Sequence, residues 1–226
     1  MKVKEDNGFI EPENLISCVL TAFFTTRSAG DNAGVIAERY NFSKDNIYLP
    51  IQKHTDNIHI LGSGTEPVIA DAVITEKKGI LIGVQVADCV PILLYDRLQG
   101  VIAAVHAGWR GTLREIAPKA VTLAMRNYAI SLDKLKFIFM PSIQKCCYEV
   151  SSEVAVLFRN HQRNNKGQLT IDIAQENKIQ LTELGIPEQN IQISKECTYC
   201  YPGFDYPSFR KDGRIRRRMV NFIVRC

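Results

Sequence analysis

VQVADCVPILLYDRLQGVIAAVHAGWRGT, residues 84–112, holds the apolar runs Ile92 to Tyr95 and Val101 to Val105, and it carries a cysteine and a histidine, Cys89 and His106, at run ends. Runs this short and this apolar suit strands buried on both faces. A residue at the end of such a strand is held by the sheet while the following loop shapes a pocket around it. Gly108 and Gly111 let the backbone turn tightly beside His106.

Further runs of the same kind lie on either side, at Cys18 to Phe24, Ile80 to Val86 and Phe137 to Met140. Helical spacing takes over beyond Thr112, where Leu113, Ile116, Ala117, Ala120, Val121 and Ala124 recur at i, i+3, i+4, i+7. Thr112 and Glu115 have the spacing of a capping box. Pro118 conflicts with a straight helix from that cap, so a kink or a later start is expected. A second helix is expected from the cap pair Asp172 and Gln175 to the stop signal Gly185-Ile186-Pro187, and a third over Ser152 to Arg159. The polar insert His161 to Gln168 reads as an exposed loop. Strands and helices mix without strict alternation, so the pattern supports an α/β or α+β fold in one domain spanning 1–226 and does not choose a topology.

The chain has 226 residues, 46% of them hydrophobic, enough for one large core. Lys plus Arg exceed Asp plus Glu by 28 to 24, and a net +4 is too small to make the whole surface a nucleic-acid binder. Charge is densest at Arg210, Lys211, Arg214, Arg216, Arg217 and Arg218, which read as a solvated face or an anion-binding lip over a pocket. There is no uninterrupted apolar leader and no run of roughly 18 apolar residues. A cytoplasmic protein without membrane or nucleic-acid partners is the expectation, and oligomeric state is not readable. The seven cysteines are read as reduced thiols.

Neutral imidazole and thiolate together suit zinc or copper, and a Cys/His set of three leaves one position open for water or substrate. The plainer reading makes His106 a satisfied core histidine and Cys89 a small buried apolar residue. These two residues alone do not decide between the readings.

Gln52-Lys53-His54, Ala87-Asp88-Cys89 and His106-Ala107-Gly108-Trp109-Arg110-Gly111 resemble the three signature motifs of the YfiH/YlmD family. The likeness extends to Ala70-Asp71-Ala72-Val73-Ile74-Thr75, to Cys146-Cys147-Tyr148-Glu149-Val150 and to Ser208-Phe209-Arg210-Lys211-Asp212-Gly213. Thr25-Thr26-Arg27-Ser28 resembles the family's Ser-Thr-Arg block, without the longer glycine-rich segment that usually follows, and Met140-Pro141-Ser142 replaces the usual Gly-Pro-Cys. The resemblance implies a layered α/β/β/α sandwich. It also implies that His54, Cys89 and His106 are the metal ligands, with His59 close enough in sequence to compete for the first place.

The family is known variously as multicopper polyphenol oxidases, peptidoglycan-editing factors and purine nucleoside phosphorylases. The chain has only four histidines, at 54, 59, 106 and 161, against the roughly ten that a multicopper oxidase uses as its main copper ligands. One Zn2+ per chain is therefore expected, with Cu as an alternative ion, and the reactions expected are phosphorolysis of purine nucleosides and deamination of adenosine. Cys89, His106 and Asp88 are the candidate catalytic residues, with Asp88 either an acid–base group or the partner that orients His106. Glu149 is a further acid–base candidate. Arg27 and Arg110 are candidates for phosphate, and Trp109 and Tyr148 for stacking a flat base. The substrates expected are a nucleoside with phosphate or, on the copper reading, a phenolic compound. Two further readings are a Cys89–His106 thiol hydrolase acting on amide bonds, and a structural zinc module that includes Cys197 and Cys200. A single C-x-x-C is weak evidence for the last.

Overall fold

The computed structural model describes residues 3–12, 20–62, 64–164, 166–213 and 217–226. Among them, two six-stranded sheets stack face to face. The first is built from β1 (Val3–Asp6), β2 (Phe9–Pro12), β3 (Leu20–Thr25), β4 (Ile47–Tyr48), β7 (Leu81–Val86) and β14 (Met219–Arg225), in the order β1-β2-β3-β14-β7-β4. The second takes β5 (Ile58–Ile60), β6 (Ala72–Thr75), β8 (Val90–Asp96), β9 (Val101–Ala107), β10 (Lys136–Phe139) and β13 (Ile191–Ile193), in the order β13-β10-β8-β9-β6-β5.

The period of two along a strand divides its side chains between two cores. In β9, Val101, Ala103, Val105 and Ala107 face the helical side of the second sheet, while Ile102 and Ala104 enter the layer between the sheets. In β14, Met219 and Ile223 point between the sheets and Val220, Phe222 and Val224 point outward. That outer face is covered by α1 (Ala33–Tyr40), whose Ile36 is fully buried and whose Tyr40 stacks on Phe23 at 3.9 Å. The outer face of the second sheet is covered by α3 (Ile116–Asn127) and α5 (Ile173–Glu183). The layers run α/β/β/α, as the resemblance implied.

Most expected elements are present with shifted ends. Cys18 and Val19, at the head of the first expected strand, lie outside the described residues, as do Arg214 and Arg216. Thr112 and Glu115 do not form a capping box. Thr112 belongs to a short helix, α2 (Trp109–Leu113), and its hydroxyl accepts a bond from Asn177. Glu115 sits at φ +58 between α2 and α3 with no side-chain cap bond. The chain breaks there so that Pro118 falls in the first turn of α3, where a missing N–H costs nothing. Asp172 does cap α5, accepting from Gln175 N at 2.9 Å. The helix ends as its sequence signals: Gly185 turns to φ +105, and the Gly185 and Ile186 N–H groups return to Thr182 and Leu181. The third expected helix is only α4 (Ser152–Ala155), because bonds of i+3 type from Leu157 and Phe158 tighten the chain and bury Phe158. The polar insert holds β11 (Gln162–Arg163), which pairs with β12 (Leu169–Thr170) just after it in a small ribbon.

Candidate metal centre and cleft

β8 and β9 pair antiparallel in a register that sets Val90 opposite Ala107 and Pro91 opposite His106. Cys89 precedes β8 and His106 lies near the end of β9, so pairing brings both to one end of the hairpin. Asp96 closes the other end, its Oδ1 accepting from Leu98 N at 2.8 Å and Gln99 N at 3.2 Å.

His54 arrives from the first sheet. The Gln52 side-chain amide pairs with the Gln85 backbone through two bonds of 2.8 Å, extending the β7 edge beyond β4 and pinning the loop. His54 then adopts φ +57, a conformation that costs a residue with a Cβ roughly 1–2 kcal/mol. Asp71 stabilises it. The fully buried Asp71 carboxylate accepts from Lys53 N at 3.2 Å, His54 N at 3.0 Å, and both Thr55 N and Thr55 Oγ1 at 2.7 Å. Successive N–H groups aimed at one carboxylate form an anion nest.

The same carboxylate accepts from His106 Nδ1 at 2.8 Å, which fixes the ring tautomer and turns Nε2 toward Cys89 and His54. The ligand atoms of His54, Cys89 and His106 lie within 4.8 Å of one another, with Cys89 Sγ 3.9 Å from His54 Nε2. Tetrahedral zinc with Zn–S near 2.3 Å and Zn–N near 2.0–2.1 Å separates S from N by about 3.5 Å, so the donor set fits with a small inward movement. Gly108 makes the approach feasible. A Cβ there would lie 3.2 Å from both Cys89 Sγ and His54 Cδ2.

The Cys89 thiol and the His106 imidazole favour each other's charged forms. Burial opposes the Cys89 thiolate, but the adjacent His106 cation and hydrogen bonds from both histidines bring the thiol down to about 6. Burial likewise opposes the imidazolium, yet the Cys89 thiolate and Asp71 raise His106 to about 9. Burial alone would raise Asp71; the bonds from His106 and Thr55 more than reverse it and hold it well below the usual carboxylate range.

These donors floor a cleft of about 860 Å³. Trp109, Arg110 and Tyr148 line it, and Arg210 and Arg218 join them. The Arg110 guanidinium lies over the Trp109 ring at 4.2 Å, and Arg210 lies 5.6 Å from the Tyr148 ring centre. Burial raises the Tyr148 phenol, so it remains a hydrogen-bond donor across the neutral range.

Three expectations are corrected. Asp88 lines the cleft but does not orient His106: its Oδ1 accepts from Thr198 Oγ1 at 2.7 Å and its Oδ2 from Arg210 N at 2.8 Å, and Asp71 takes the orienting role. Arg27 does not reach the cleft. It binds Asp205 at 2.9 Å, Asp212 at 2.8 Å and the Tyr206 carbonyl at 3.0 Å, and so anchors the segment whose short helix α6 (Phe209–Asp212) presents Arg210. Glu149 opens instead on a neighbouring cavity. His59, the competitor of His54, packs on Tyr48 at 5.5 Å. Asp71 and Gln52 are the site residues whose roles sequence reasoning missed, although both lie inside quoted motifs.

Residues 25–226 match the family model described as multi-copper polyphenol oxidoreductase laccase. The chain is 38% identical over 80% of its length to a purine nucleoside phosphorylase of Aquifex aeolicus, covering 84% of that protein. It is 32% identical over 73% of its length to the adenosine deaminase RL5 of an unknown prokaryotic organism, covering 70% of that protein. The crystal structure of YlmD from Geobacillus stearothermophilus superposes with a TM-score of 0.88 at 25% identity, covering 98% of this chain and 97% of that one. Among the described residues no helix is long and apolar enough to cross a membrane. With its sandwich fold, its motif residues gathered at one cleft and these likenesses, the chain belongs to the YfiH/YlmD family of laccase-domain enzymes.

Proposed function

We propose that this protein is a metal-dependent purine nucleoside enzyme, cleaving adenosine or inosine with phosphate and deaminating adenosine, with one Zn2+ held by His54, Cys89 and His106. The observation that carries the reading is the convergence of three soft and borderline donors on the floor of a cleft walled by aromatic faces and guanidinium groups. When bound, such an ion would supply Lewis-acid polarisation at the floor of the cleft.

The chain's own residues account for recognition. Trp109 and Tyr148 offer the flat surfaces a purine stacks on, and Arg110 and Arg210 offer paired N–H donors to phosphate oxygens. Stacking of Arg110 on Trp109 restricts its rotamers before phosphate arrives, which lowers the ordering cost of binding. Asp88 spends one hydrogen bond on each oxygen and retains acceptor capacity, so it is the candidate proton carrier of the cleft. Names of the relatives support both reactions.

A copper-dependent phenol oxidase at the same ligands is the second reading, supported by the family description and the soft thiolate. Against a self-contained multicopper apparatus stand His59 and His161, which pack on Tyr48 and bond the Phe158 carbonyl, away from the centre. A Cys89–His106 thiol hydrolase is the third, favoured by the nearness of the two groups and the way each stabilises the other's charged form.

The test is purified protein incubated with adenosine, with and without phosphate, following adenine, inosine and hypoxanthine. Phosphate-dependent adenine and phosphate-independent inosine are expected, both lost on chelation and in Cys89→Ala. Phenol oxidation that requires added copper while nucleosides stay untouched would reverse the order of the first two readings. Amide cleavage insensitive to chelation would establish the third.

A further inference from the structure

A second group of metal-competent side chains stands apart from the cleft floor. Cys146 and Cys147 come from the turn after β10, and Cys197 and Cys200 from the turn after β13. Their sulfurs all lie within 4.8 Å of one another. Cys146 Sγ is 3.8 Å from Cys200 Sγ. A disulfide needs about 2.0 Å. Four thiolates around zinc at Zn–S near 2.3 Å and tetrahedral angles sit about 3.8 Å apart, the separation seen here.

The backbone is arranged for thiolate ligands. Gln144 N donates to Cys197 Sγ at 3.4 Å. N–H donors of this kind stabilise negative sulfur. A zinc tetrathiolate carries a net −2, and the charged groups lining the adjoining cavity, Lys145, Arg163, Lys166 and Arg210 against Glu149, offset it with a net positive charge. The lone C-x-x-C at 197–200 was weak evidence in the sequence. The fold supplies the other half of the set from 50 residues upstream, as the adjacent pair 146–147.

We propose that Cys146, Cys147, Cys197 and Cys200 form a structural Zn2+ site, closed by four protein ligands and separate from the His54, Cys89 and His106 centre. Its position gives it a task. Thr198, inside the C-x-x-C turn, donates to Asp88 Oδ1, and Thr198 N bonds the Ser142 carbonyl. Tyr148 follows Cys147 directly. The site therefore clasps the two turns that carry Tyr148 and the partner of Asp88, and so holds one wall of the cleft against its floor.

The experiment separates the two centres by metal content. Wild-type full-length protein is expected to bind two zinc ions per chain, one for each donor group, and Cys89→Ala to bind one. Cobalt-loaded Cys89→Ala is expected to show thiolate-to-cobalt charge transfer and the intense ligand-field bands of a tetrahedral tetrathiolate. Adding Cys146→Ser and Cys200→Ser is expected to abolish those bands. The Cys89→Ala spectrum needs no change in the cluster, so it decides the matter even if the triple variant fails to fold. A metal-free Cys89→Ala protein, a cobalt spectrum lacking thiolate charge transfer, or a Cys146–Cys200 disulfide in protein purified with zinc overturns the proposal. A wild-type protein with a single zinc that Cys89→Ala retains upholds this site and overturns the one at the cleft floor.

Discussion

Asp71→Asn is the sharpest perturbation of the cleft, because one buried carboxylate serves both sheets. Oδ1 accepts from His106 Nδ1 and His54 N, while Oδ2 accepts from Thr55 N, Thr55 Oγ1 and Lys53 N. An asparagine keeps one acceptor oxygen and puts an NH2 donor in place of the other. Turned to serve His106, it confronts the Lys53 and Thr55 N–H groups; the Thr55 hydroxyl can rotate to accept, but the backbone donors cannot. Two orphaned, partly buried N–H groups at about 1 kcal/mol each, the low end for an unpaired donor, give a stability loss of about 2 kcal/mol, a sizeable part of a typical total of about 5–15 kcal/mol. His106 loses its charged acceptor, which typically costs 10- to 100-fold in metal affinity, about 1.4–2.7 kcal/mol. Zinc competition against a chromophoric chelator measures the second effect and thermal melting the first. Thr55→Ala is the control: it removes the hydroxyl that donates to Asp71 and accepts from Asn57 N, leaves the His106 bond in place, and should lower metal affinity by less than about threefold. An Asp71→Asn protein with wild-type melting and wild-type zinc affinity would refute the reasoning.

Three further outcomes are expected. Gly108→Ala keeps an allowed backbone, since φ is −74° and ψ 170°, but places its Cβ 3.2 Å from two ligand side chains. Zinc affinity should fall about tenfold or more with melting little changed; a wild-type chelator titration would contradict the packing described. Arg27→Ala removes two ion pairs and a carbonyl bond from the segment that presents Arg210, so thermal melting should show a stability drop of about 2 kcal/mol; wild-type melting would contradict the anchoring role. For Asp212, burial opposes ionisation but Ser208 N and Arg27 outweigh it, leaving its folded pKa below the usual carboxylate value. Its contribution is complete above the unfolded pKa of about 3.9 and fades as pH falls through the depressed folded value. Asp212→Asn should therefore melt lower than wild type at neutral pH and converge with it in acid, a convergence that a pH series of melting curves would show absent if the pair contributes nothing.

How far the sequence was readable depended on whether a signal was local. The paired runs of β8 and β9 and the cap and stop of α5 are written in adjacent residues, and the structure keeps them. Met219–Val224 is also apolar apart from Asn221, yet it follows a dense arginine stretch and was passed over, although Met219–Arg225 forms a central strand of the first sheet. The Thr112–Glu115 pair matched a cap by spacing alone, and the proline three residues later moved the helix start. Asp71 was quoted only as part of a motif. Its role depends on partners 16–18 and 35 residues away, which no window on the chain contains. The four-cysteine cluster was half visible for the same reason.

The hairpin register of β8 and β9 has a further consequence, for the order of events as the chain folds. Pro91 faces His106 only in the native pairing, and a slip of one residue would send one ring or the thiol to the opposite face of the sheet. Even then the third donor must come from the other sheet. Ion capture at the cleft floor is therefore a late event that reports completed assembly: a chain with a misaligned hairpin has two donors at best and holds an ion weakly. On the proposed reading, zinc uptake followed in time during refolding should lag behind strand formation, so that an ion would check registration rather than nucleate it.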